Sequence, residues 1–203
     1  MKELFAAGLL VLLLSGCEKK EENQKSFTAG DLNTNRSYSL NYIDSIPDTV
    51  NSGLYNFEWM STHITIDTYN DLQIRVGHSW GINNGELFQK AFRIGNNSSG
   101  FEFAVSDTDT VIGQNDTMTF VRIYNYSELI SENQRWLEGD YEHLFYLSLF
   151  YKNAVNEYVI NQNLEDKYIG IRKLKNGKMM YGWIKIEIRD NDVLVLKESC
   201  FNN

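Results

Sequence analysis

Asn176 and Gly177 stand between two runs, YIGIRKLK before them and KMMYGWIKIEI after them, in which bulky apolar residues recur at alternate positions. Asn-Gly is the dipeptide best suited to the positive φ that a type I′ turn needs at both central residues, and that turn matches the twist of two paired strands. The stretch therefore predicts an antiparallel hairpin, and the turn fixes its register. With Lys175 facing Lys178, Ile171 meets Gly182, Ile169 meets Ile184 and Lys167 meets Ile186 on one face. That face is apolar and turns to the core. On the other face Arg172 meets Tyr181 and Gly170 meets Trp183, whose indole is expected to lie over the bare glycine backbone. That second face is aromatic and basic.

Similar short segments recur along the chain at 38–43, 54–59, 62–69, 72–79, 87–94, 101–105, 117–126, 142–151, 155–160 and 193–198. Turn residues separate them, among them Asn84-Gly85, the stretch from Asn96 to Gly100, and Asp190-Asn191-Asp192. With one proline in 203 residues, the pattern predicts an all-β, mostly antiparallel β-sandwich or jelly-roll-like single domain. One interruption is expected. Ser131-Glu132-Asn133-Gln134 has the form of a capping box, and with Leu129, Ile130, Trp136 and Leu137 around it predicts a short helix near 128–137. Four Trp, 12 Tyr and 11 Phe supply the apolar area for a core without a disulfide.

The N-terminus carries an address. From Leu4 to Leu14 every residue is apolar or Gly, which suits the apolar region of a secretory signal and is short of the about 20 residues that cross a bilayer. Leu14-Ser15-Gly16-Cys17 resembles the lipobox of bacterial lipoproteins, in which small residues precede a cysteine that is acylated on sulfur and becomes the new N-terminus. The resemblance implies lipidation at Cys17. It also divides the chain into a signal peptide over 1–16, a tether over 17–36 and a domain over 37–203. An ordinary signal peptide cut near Ala6-Ala7-Gly8 is the alternative. The tether has few apolar residues and no period, so it is expected to stay solvated. Its first residues, Glu18-Lys19-Lys20-Glu21-Glu22, look like the signal that sends Bacteroidota lipoproteins to the outer face of the outer membrane. The terminal hairpin, with Tyr168-Ile169-Gly170 and Tyr181-Gly182-Trp183 flanking the turn, also resembles one found in secreted and lipid-anchored β-sandwich proteins of that phylum. Cys200, left without a partner if Cys17 is acylated, has no His or Lys beside it in sequence and reads as an inert thiol.

A net charge of −8 excludes nucleic acid as a partner, since phosphate binding needs clustered Lys and Arg. No cofactor motif appears, and there is neither a Gly-x-Ser-x-Gly elbow nor a phosphate-cradling glycine loop. Of the three histidines, His63 and His78 lie on neighbouring strands, but pairing Ile64 with Val76 and Ile66 with Ile74 puts them on opposite faces, so no metal centre is expected. Asp107, Asp109, Asn115 and Asp116 offer oxygen ligands without the spacing of a calcium loop. Glu138, Asp140 and Glu142 are similar to the Glu-x-Asp-x-Glu string of laminarinase-type glycosidases, which implies Glu138 as nucleophile and Glu142 as acid/base. Gly139-Asp140, itself a turn signal, interrupts that pattern.

The remaining expectation is binding. Trp183, Tyr181 and Arg172, with Trp59 and Trp80, are the candidates for an aromatic platform that takes a glycan or a surface protein. Asp44-Ser45-Ile46, Asp48-Thr49-Val50, Asp109-Thr110-Val111 and Asp116-Thr117-Met118 resemble the Bacteroidota O-glycosylation signal. The sequence thus reads as a lipid-anchored binding or structural module of the outer membrane facing the cell exterior, with a glycan-cleaving hydrolase as the rival.

Overall fold

The computed structural model describes residues 26–30, 37–46, 55–66, 72–83, 86–96, 101–112, 116–139 and 144–201. The described residues hold strands and turns and no helix. In chain order the strands are β1 (Ser26–Thr28), β2 (Ser37–Ser45), β3 (Tyr55–Thr65), β4 (Gln73–Asn83), β5 (Glu86–Asn96), β6 (Phe101–Ala104), β7 (Thr110–Ile112) and β8 (Asp116–Met118). They continue as β9 (Ile123–Tyr124), β10 (Leu129–Ser131), β11 (Trp136–Leu137), β12 (Phe145–Lys152), β13 (Glu157–Ile160), β14 (Leu164–Lys175), β15 (Lys178–Arg189) and β16 (Val193–Phe201).

Two antiparallel sheets stack to make a β-sandwich. The first runs β11-β6-β14-β15-β16-β2, with β9 also on β14, and the second runs β13-β12-β5-β4-β3. The hairpin of β14 and β15 has the register that Asn176-Gly177 dictates, Ile171 opposite Gly182 and Gly170 opposite Trp183. Both turn residues have positive φ, 51° and 76°. From this hairpin and its neighbours Ile169, Ile171, Ile184, Ile186, Leu194 and Leu196 face inward, and Ile74, Val76, Phe92, Ile94 and Leu147 meet them from the second sheet. Every one of these side chains is sealed from solvent, so the space between the sheets is the main core.

Three expectations need correction. The first is the helix near 128–137. Residues 132–134 make a turn between β10, which pairs with β1, and β11, which pairs with β6. Leu129 and Trp136, seven apart, would share one face of a helix, yet Leu129 is exposed and Trp136 is buried, as the alternation of β10 and the turn after it allow. The second is the tether. Ser26–Thr28 form β1 on the outer side of the first sheet, with Phe27 and Ala29 buried there, so the folded body begins before residue 37. The third is the register of β3 and β4. Ile64 pairs with Ile74 and Thr62 with Val76, two residues away from the expected alignment. A two-residue slip keeps every side chain on its own face, so the burial pattern cannot tell the two registers apart.

Asp109 is held rather than open. It accepts hydrogen bonds from Arg135 Nη1 at 2.6 Å and Nη2 at 3.2 Å, and from Thr119 Oγ1 at 2.8 Å. Arg135 first, then Thr119, hold its carboxyl below the usual carboxylate range, and Lys197 does the same for Asp166 and Glu187. An unfolded carboxyl takes up its proton at higher pH than these folded ones. Their stabilisation is thus complete above about pH 4 and is lost as pH falls through the folded values. Asp109→Asn is expected to cost about 1 kcal/mol at about pH 7, by urea denaturation, and to close that gap between about pH 4 and pH 2. A gap that stayed constant over that range would show that the charge of Asp109 is not what counts.

Candidate functional site

The sandwich has an open edge where β2 ends the first sheet and β3 ends the second. β2 alternates between exposed and half-buried residues along its length, which turns Tyr42 and Asp44 inward. On β3, Met60 and Thr62 share a face with their partners His78 and Val76 on β4. Both strands therefore send polar groups into the mouth between the sheets. The result is a cleft of about 150 Å³ lined by Tyr42, Asp44, Met60, Ser61, Thr62 and His78.

Asp44 and His78 join across this cleft, Nδ1 to Oδ1 at 2.8 Å, with side chains 13% and 6% exposed. A carboxylate only accepts, so Nδ1 carries the hydrogen that it donates. The ring stands edge-on to Phe92, with centroids 6.3 Å apart. Its other nitrogen, Nε2, is buried and has no hydrogen-bond partner. Tyr42 completes the polar wall. Burial, then the charge of Asp44, push its phenol up to about 12, so it remains a donor. A second polar pair that spans the sheets, Lys90 with Asp192, leaves no such orphan.

A different constellation covers the outer face of the second sheet. Arg93 places its guanidinium carbon 4.5 Å from the Tyr146 ring centroid and 5.2 Å from that of Trp59. Tyr146 is its direct partner on β12, and Trp59 lies two strands away on β3. Gly77 is the partner of Arg93 on the intervening strand β4. Arg75 lies 5.9 Å from the same indole centroid and donates from Nε to Ser61 Oγ at 2.9 Å.

The residues singled out from sequence are placed otherwise. Trp183 is 1% exposed and Tyr181 3%, so they form no platform. The ribbon of β1 and β10 covers that face of the first sheet, and Phe27, Ile130, Trp136 and Tyr168 pack with both residues as a second core. Arg172, opposite Tyr181, pairs with Glu102 and lies 4.7 Å from the Trp136 ring centroid. The space over Gly170 is taken by Ala104, Ile130 and Tyr124 rather than by the indole, since a Cβ there would come within 3.1 to 3.2 Å of them. Trp80 is buried in the main core, and Trp59 alone of the three tryptophans of the expected platform keeps partial exposure. His63 and His78 do point to opposite faces. Glu138 is exposed, while its companions Asp140 and Glu142, like Cys17, lie outside the described residues. Among the described residues no three His, Cys, Asp or Glu side chains gather as a metal set.

Sequence reading missed the cleft because its two central residues are 34 positions apart on different sheets. Alternation marked His78 as inward-facing on β4, and that was the available signal. No protein-family model matches the chain, and neither a curated protein nor a solved structure does.

Proposed function

We propose that the protein is a lipid-anchored binding module of the bacterial envelope, attached to the outer membrane through acylated Cys17, whose β2–β3 cleft takes a hydroxyl-rich ligand of the glycan class. The lipobox-like Leu14-Ser15-Gly16-Cys17 supports the anchor. The orphaned Nε2 of His78 supports the binding role: a buried polar atom without a partner costs about 1–3 kcal/mol, and a guest that satisfies it recovers that cost. A hydroxyl suits this position because it can donate to a neutral imidazole or accept from a charged one. Tyr42 and Thr62 offer further polar contacts beside it, and Met60 an apolar one.

The test is titration of the full-length chain with a panel of neutral oligosaccharides, followed calorimetrically, beside the His78→Phe variant. Binding by the parent and at least about a tenfold loss in the variant are expected, the worth of one hydrogen bond in a closed site. Equal affinity of parent and variant would remove the cleft from the reading, and binding to none of the panel would remove the glycan.

A further inference from the structure

The outer face of the second sheet carries charge of the wrong sign for this chain. Against 27 Asp and Glu stand 19 Lys and Arg. Yet the outward positions of β3 from Trp59 to Thr65, of β4 from Gln73 to Gly81 and of β5 from Gln89 to Gly95 hold no acid at all, and they do hold Arg75, Arg93 and His63. Arg93 is the centre of this field. Trp59 and Tyr146 flank its guanidinium, and of its three side-chain nitrogens Nε alone is sealed from solvent and without a partner. Burial lowers its pKa, and among the described residues no carboxylate contributes. Two aromatic rings, 4.5 and 5.2 Å from the guanidinium carbon, hold it in place, and its terminal N–H groups are a planar fork of the kind that matches two oxygens of one anion.

We infer that this face is a binding site for an oxyanion, a sulfate, phosphate or carboxylate group, held by Arg93 beside Trp59 and Tyr146. The anion arrives either free or as a substituent of an acidic polysaccharide. Gly77, opposite Arg93 on β4, is bare because a Cβ there would collide with the Met60 carbonyl oxygen and come within 2.8 Å of Ser61 on β3. The site lies on the other side of β3 from the cleft, so it stands or falls independently of the neutral ligand assigned there.

The experiment uses the full-length chain at constant ionic strength, with sodium chloride exchanged stepwise for sodium sulfate or phosphate, and separately with dextran sulfate against neutral dextran. Binding is read calorimetrically and by the change in tryptophan fluorescence. Saturable binding of sulfate or of dextran sulfate is expected, and the tighter of the two identifies the source of the anion. Arg93→Gln is expected to weaken it about ten- to a hundredfold, the worth of charge-assisted hydrogen bonds. Arg93→Lys, which keeps the charge and loses the planar fork, is expected to weaken it by at least about tenfold, while Lys152→Gln, an exposed charge elsewhere on the sheet, leaves it unchanged. Urea denaturation of each variant confirms that it is folded, and the lysine variant carries the test if the glutamine one is not. The inference is overturned if neither anion binds saturably, or if a folded Arg93 variant binds like the parent.

Discussion

Replacing Cys17 by serine is expected to move the protein from the detergent phase to the aqueous phase almost completely, with no change in the stability of the folded body. The argument rests on the arithmetic of acyl chains. Each buried methylene stabilises membrane association by about 0.8 kcal/mol, one myristoyl-sized chain gives an association constant of about 10⁴ M⁻¹, and a second chain makes the attachment durable. Serine accepts no thioether-linked diacylglycerol, so both chains are lost together. A body with a formal charge of −8 has no electrostatic attraction to anionic headgroups to replace them. Detergent phase separation of cells expressing parent and variant is the measurement, with the mass of the native N-terminal peptide as its check. If Cys17→Ser still partitions with detergent, or if the parent peptide begins at Met1, the anchor is wrong.

Trp183→Ala is the second large effect, this time on folding: a loss of about 3–5 kcal/mol in urea denaturation. The indole is 1% exposed and meets the Tyr168 ring edge-on with centroids 5.2 Å apart. It belongs to a cluster in which β15, β14 and the ribbon of β1 and β10 all take part. Truncation would leave a hole between a sheet and a short ribbon of three residues per strand, which has few other contacts to hold it. Trp183→Phe separates volume from hydrogen bonding. The indole Nε1 has no partner, so phenylalanine keeps most of the packing and removes an unsatisfied donor. Its expected cost is under about 2 kcal/mol. Were alanine to cost as little as phenylalanine, the second core would be a loose cover rather than a structural layer.

How much of this was legible in the sequence depended on whether local chemistry or distant contacts decided the outcome. The β14–β15 hairpin was legible to the residue, since its turn dipeptide and its alternation fix the same register. The all-β sandwich was legible for the same reason, repeated along the chain. β1 was not, because three residues with a single aromatic carry no period, and Phe27 is buried only because a distant sheet offers it a face. The same ribbon reversed the reading of Trp183 and Tyr181, which alternation had rightly placed on the outer face and which a third layer then covered. The cleft needed the order of strands in both sheets. Asp44 was noticed only as part of an Asp-Ser-Ile string, and nothing local connects it with His78. Trp59 was among the platform candidates, but its meeting with Arg93 stayed hidden for the same reason as the cleft: the two lie on β3 and β5, with β4 between them.

If Cys17 carries the proposed anchor, the early start of β1 would limit how far the body can stray from it. Nine peptide units separate Cys17 from Ser26, and at 3.3 to 3.6 Å each they give a leash of about 30 Å at most. The described body begins on the outer side of the first sheet, so an anchor at Cys17 would draw that side toward the lipid. Trp59 and Arg93, on the outer face of the second sheet, would then look away from the headgroups.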